Sequence, residues 1–282
     1  MLIEFFQNLA TYSFLQNACL AAILAGIACG LLGPLVLINR LSFLTGAVSH
    51  VAYGGIGLAF FLNLAVFPVT MIFTLVSALL MGFLSLGKKN EPRSLTETRS
   101  DTAIGIFWAA GMALGIILID LSGSISGDFM GFLFGSIITV STSELFTMSI
   151  LILIIFLLIL VFHQGLWAVS LDKDFARTKG LPVDGLYLLL IALAAVTVVM
   201  LIRLTGLILV MALMTIPSRL ALTISHSLWL SMFLSAIFAV CFAIIGLILS
   251  YMLNLSPGAA VVGVASLSAL LFFGVKKYFF AN

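Results

Sequence analysis

Apolar runs long enough to cross a bilayer follow one another from Phe14 to Val275, and little charge interrupts them. The chain is 63% hydrophobic and 8% charged, whereas soluble domains carry about 25% charged residues. A soluble core has no use for so much apolar surface. The sequence therefore predicts an all-α polytopic membrane protein, a single transmembrane domain over residues 1–282. About 20 apolar residues make a span. On that measure the helices are Phe14–Ile38, Gly46–Leu64, Pro68–Leu86, Thr102–Asp120, Leu145–Phe162, Leu186–Ile202, Leu204–Ile224, Leu228–Leu253 and Pro257–Val275. That gives eight to nine transmembrane helices. The piece Phe129–Val140 is too short to cross and reads as a re-entrant or broken helix, which needs protein or a water-filled cavity over its backbone. The first apolar run is long enough to span, so it reads as a helix and not a cleaved leader.

Basic residues orient the bundle. With the N-terminus outside, the inner segments hold Arg40, Lys88, Lys89, Arg93, Arg99, Lys173, Arg177, Lys179, Arg219, Lys276 and Lys277, and only Arg203 of the twelve Lys and Arg lies outside. A full crossing by Phe129–Val140 would reverse everything after it and spoil this bias. Local signals agree with the spans. Asp101 and Thr102 stand where a cap would start the fourth helix. Pro68 and Pro257 lie near helix starts, where a missing N–H is harmless. Pro217 lies late in a helix and is expected to kink or break it.

On this orientation the stretch His163–Gly185 is an inner loop with an unusual density of charge: Asp172, Lys173, Asp174, Arg177, Lys179 and Asp184. Its DKDFARTK core suits two helical turns. A chain that reserves its charge for one short loop docks a partner there.

His50 is the outstanding ionisable residue inside a span. Ser49 precedes it, and helical spacing puts Gly46, His50 and Gly54 on one face. Two readings stay open: a histidine hydrogen-bonded between helices, or an imidazole lining a path for zinc, manganese or iron. Asp120, Asp128 and Glu144 border the outer side, as solvated loop carboxylates or as an acidic mouth that attracts cations. His163 and His226 sit at inner helix ends. Cys19, Cys29 and Cys241 fall in apolar runs without a CxxC pair and read as buried thiols. Gly111 and Gly115 form a GxxxG in the fourth helix, a common packing signal.

The absences matter too. No carboxylate stands near the middle of a span, so a proton relay or sodium site lacks its usual groups. The chain has no GxxxxGK[ST] phosphate loop and cannot be its own ATPase. No nucleophile–base constellation marks it as an enzyme.

Six pieces in order give the chain a resemblance to a known family. They are Gly33-Pro34; Leu41-Ser42 leading into Ser49-His50; Asp101-Thr102-Ala103-Ile104-Gly105-Ile106; Gly131-Phe132-Leu133-Phe134-Gly135-Ser136 through Val140-Ser141; Asp172 to Gly180; and Ile202 to Ala221 with Gly206 and Pro217. Each is weak alone and the set is strong. From about Leu15 to Lys277 the chain resembles the permease subunits of bacterial ABC importers for zinc, manganese and iron.

The resemblance implies a type II ABC importer fold in the bacterial cytoplasmic (inner) membrane. It implies a homodimer with a pathway between the two copies, two copies of a separate ABC ATPase that carry the ATP, and an extracytoplasmic metal-binding protein that delivers the ion. No cofactor is expected in this chain, and neither is nucleic acid. Asp172, Lys173, Asp174, Phe175, Ala176, Arg177 and Gly180 would form the coupling element seated in the ATPase. His50 and Ser49 would lie on the metal's path. Many members of that family carry Asp four residues before the membrane histidine, and here that position is Gly46. The rival reading is a secondary transporter or channel that works without an ATPase.

Overall fold

The computed structural model describes residues 2–86, 93–123 and 140–280, and among them ten helices follow one another. They are α1 (Leu2–Thr11), α2 (Ser13–Ile38), α3 (Ser42–Phe61), α4 (Val66–Ser85), α5 (Arg93–Ser122), α6 (Thr142–Leu171), α7 (Lys173–Thr178), α8 (Val183–Ile224), α9 (Leu228–Leu253) and α10 (Pro257–Phe280). Among the described residues, eight helices are long and apolar enough to cross a membrane. A bilayer offers the backbone no water, so each span must satisfy its own N–H and C=O groups, which a helix does. Hydroxyls follow the same logic: Ser49, Ser85 and Thr197 each donate to the carbonyl four residues earlier, at 3.0, 2.7 and 2.9 Å.

Several expected boundaries move. The apolar stretch after Leu186 is broken at Gly206, whose φ of 73° and ψ of 168° are non-helical. Glycine, lacking a Cβ, adopts that backbone without the steric cost other residues meet. Pro217, where a kink or break was expected, lies inside the helical stretch that follows and does not end it. The separate apolar helix there, Leu209–Ile224, is shorter than the other spans. α5 begins at Arg93, so Asp101 and Thr102 lie inside it and do not cap it. α6 continues to Leu171, which makes His163 a mid-helix residue and shortens the charged loop. Pro257 is the first residue of α10, as its missing N–H favours. Residues 129–139 and Asp128 lie outside the described residues.

The chain divides into two compact units. The first holds residues 1–37, 131–158 and 201–282. In it α2 meets α9 at small residues: a Cβ on Gly26 would lie 2.7 Å from the backbone N of Val240, and one on Gly30 would overlap Ala236. Ser218 of α8 and Ser235 of α9 share a buried hydrogen bond of 2.8 Å. Leu220, Phe242 and Ala265 form a small core between α8, α9 and α10. Asn8 of α1 donates to the Tyr251 hydroxyl at 2.7 Å and ties α1 to the end of α9.

The second unit holds residues 38–130 and 159–200. Its centre is the crossing of α3 with α5. A Cβ on Gly111 would lie 2.7 Å from the Val51 Cα, and one on Gly115 would lie 2.5 Å from the Tyr53 carbonyl oxygen. Gly57 faces Gly115 so closely that a Cβ there would overlap its backbone. The GxxxG of α5 is thus a helix-packing surface against α3, where backbones approach because no side chain intervenes. On its other side α3 meets α4, with Gly55 against Thr70 and Gly54 against the Phe73 ring.

Candidate functional site

The glycine crossing decides what surrounds His50. Gly111 and Gly115 draw α5 against α3, and the larger residues of the adjoining stripe, Trp108 and Met112, then meet the imidazole. The His50 ring stacks on the Trp108 indole with centroids 4.5 Å apart and planes 18° apart. Its Nδ1 lies 3.1 Å from the Met112 sulfur. A thioether has no proton to give, so Nδ1 is the donor in this contact. Phe43 flanks the indole, with ring centroids 5.8 Å apart. His50, Trp108 and Met112 are all half-buried, near the middle of their helices. The histidine therefore does bridge two helices, through one nitrogen only. Nε2 meets no hydrogen-bond partner among the described residues.

Ser49 takes no share in this arrangement. It is fully buried, and its hydroxyl is used on the Thr45 carbonyl of its own helix. Gly46 is buried as well. Among the described residues no group of three His, Cys, Asp or Glu gathers closely enough to hold a metal ion.

The charged stretch after α6 folds into a compact element. Asp172 leaves the helical conformation at φ −152° and ψ 109°, and its carboxylate accepts from the backbone N–H of Asp174 and Phe175 at 2.9 and 3.1 Å. This is an N-cap, and it starts the short helix α7. Arg177 closes the other end: its guanidinium donates to Asp184 at 2.8 Å and lies 3.7 Å from Asp174. Lys173 stands over the Tyr187 ring at 4.4 Å, and Lys179 over the Phe175 ring at 5.6 Å. Gly180, at φ 76°, turns the chain towards α8. Ala176 is buried beneath the element, and Phe175 is 55% exposed above it. Most of these charges hold the element together. What it presents outward is the Phe175 ring and the Asp174 carboxylate.

Replacing Asp172 with Ala removes a cap worth about 1 kcal/mol. The expected result is amide exchange about fivefold faster at Asp174 and Phe175, with Asp172→Asn close to the parent. Hydrogen exchange of the purified protein in detergent measures it.

Of the outer carboxylates, Asp120 is exposed near the end of α5. Glu144 serves α6 itself: it accepts from the Ser141 N–H at 2.9 Å, while the Ser141 hydroxyl accepts from the Glu144 N–H at 3.3 Å. That reciprocal pair is a capping box.

Comparison with known proteins agrees with this architecture. Residues 11–276 match the ABC 3 transport family. The chain belongs to the ABC 3 transport family. An uncharacterized membrane protein of Synechocystis is 40% identical over 276 residues, covering 98% of this chain and 95% of that protein. The manganese transport system membrane protein MntC of Halalkalibacterium halodurans is 32% identical over 274 residues, covering 97% and 91%. Among solved structures, PsaBC from Streptococcus pneumoniae in complex with Fab has a chain that is 32% identical and superposes with a TM-score of 0.85, covering 97% of this chain and 95% of that one. This ABC 3 family member is therefore an all-α, multi-pass protein of the bacterial inner membrane, with the permease fold of ABC transporters.

Sequence reasoning singled out His50 in this ABC 3 permease but missed Trp108 and Met112. A signal was present. Both stand one helical turn apart beside the Gly111–Gly115 pair, so whatever helix packs on those glycines must meet them.

Proposed function

We propose that this chain is the membrane-spanning subunit of an ATP-driven importer for a divalent metal ion of the zinc, manganese and iron class. Membership of the ABC 3 transport family carries the reading. The names of relatives support it, since two proteins 32% identical to this chain are called manganese transport system membrane proteins. Two copies of the chain enclose the pathway and alternate between inward and outward access. A separate ABC ATPase binds and hydrolyses ATP below them, and an extracytoplasmic metal-binding protein delivers the ion from outside.

Asp172 to Gly180 is the ATPase contact on this reading. Its support is the shape of α7: a capped, ion-paired element with an exposed aromatic ring has little to do in water and much to do in a cleft. His50 lines the pathway, supported by its place near the middle of an apolar helix and its unengaged Nε2. Asp120 stands on the outer side, where the ion arrives.

Copurification tests the reading. A tagged chain expressed with its neighbouring genes brings down an ATPase subunit, and washing with detergent at low salt retains it. A stable chain that transports metal with no nucleotide-binding partner contradicts the proposal and favours a secondary transporter.

A further inference from the structure

We propose that Met112 fixes the tautomer of His50, so that the pathway meets its cargo with a neutral imidazole Nε2 and no carboxylate beside it, a donor that favours zinc over manganese. This rests on the import reading above and goes beyond it, naming a positioning residue and a preference among the metals.

The geometry has three parts. First, the Met112 sulfur lies 3.1 Å from Nδ1 and can only accept, which places the ring proton on Nδ1. A neutral imidazole protonated at Nδ1 has its lone pair on Nε2. Second, stacking on Trp108 fixes the plane of the ring, so Nε2 points in one direction. A histidine that binds metal normally donates its other N–H to a fixed acceptor, usually a carboxylate or a carbonyl, and that acceptor sets tautomer and aim. Here a thioether holds that place. Third, the position one turn before His50 is Gly46 and supplies no oxygen ligand.

The donor's chemistry gives the preference. Manganese favours carboxylate, carbonyl and water oxygens, whereas imidazole suits zinc, and any nitrogen site binds zinc more tightly than manganese in the general order of divalent affinities. A transit site needs weak binding, and one imidazole from each of two copies offers that to zinc while offering less to manganese.

The test uses the chain assembled with its ATPase in lipid vesicles, supplied with the extracytoplasmic metal-binding protein, with initial ATP-driven uptake measured against zinc and, separately, manganese. The parent is expected to show a zinc KM about tenfold below its manganese KM. Met112→Leu keeps the volume and removes the acceptor, and raises the zinc KM about tenfold with the maximal rate little changed. Met112→Gln returns an acceptor oxygen and recovers most of the loss. Gly46→Asp moves the preference towards manganese. Equal KM values for parent and Met112→Leu overturn the positioning role, as does a Met112→Gln variant no better than Met112→Leu. A parent that takes up manganese at lower concentration than zinc overturns the preference. If Met112→Leu fails to assemble, Met112→Ile carries the same comparison. Vesicles whose ATPase is active but which accumulate neither metal contradict the import reading itself.

Discussion

Phe175→Ala abolishes most ATP-driven uptake while leaving the chain in the membrane at its normal level. The ring is 55% exposed, so its removal opens no cavity in the folded chain. The main supports of α7 stay in place, because the Asp172 cap, the Arg177–Asp184 pair and the buried Ala176 use only the backbone of Phe175, and the contact of Lys179 with the ring is the one support removed. What is lost is an aromatic anchor. Truncating such an anchor at the centre of a protein interface costs about 2–4 kcal/mol, which is roughly 30- to 1000-fold in affinity. Uptake in vesicles and ATPase recovery in pull-downs fall together on this account. Normal ATPase recovery with the variant would remove Phe175 from the interface.

Gly115→Leu has the second large effect, by a different route. A Cβ at this position would lie 2.5 Å from the Tyr53 carbonyl oxygen and 2.7 Å from its carbon, and both are backbone atoms that cannot step aside. α3 and α5 must separate. Overpacking of this kind costs typically about 1–3 kcal/mol, and here the stack of His50 on Trp108 is lost with it. The expected result is a lower melting temperature in detergent and failed uptake. Gly105→Leu on the same helix is the control, because a Cβ there meets nothing within 4 Å. Equal stability of the two variants would show that the glycine crossing does not hold the unit together.

The two variants also mark what the sequence could tell. Membrane spans are legible because hydrocarbon imposes one length and one composition. Their ends are less so. α5 begins at Arg93, well before the expected start at Asp101, because nothing stops a helix at the membrane surface. α6 runs past His163 to Leu171 for the same reason; Gly165 does not break it, since Gly165 packs against Leu186. The boundary expected between Ile202 and Leu204 is found at Gly206, where the conformation needs a positive φ that proline cannot supply, and Pro217 lies within the helical stretch that follows.

The candidate site divides similarly. His50 is visible as an ionisable residue in an apolar run, and Asp172 to Gly180 as a knot of charge. The glycine pair of α5 marks Trp108 and Met112 as facing a packed helix, but their pairing with His50 is not legible, because α5 is separated from α3 by α4 and no local pattern states which helix meets which. The roles within the charged knot are hidden too. Asp172 and Arg177 look like docking charges in sequence, yet they shape the element, and the uncharged Phe175 is what it offers.

The role proposed for this chain is ATP-driven metal movement across the membrane. The direct measurement is metal accumulation in sealed vesicles that contain the chain, its ATPase and the delivery protein, with ATP supplied on the ATPase side. Accumulation that requires hydrolysable ATP, and that Phe175→Ala stops, is the predicted result. Metal that equilibrates across the vesicle wall at the same rate without nucleotide would contradict it.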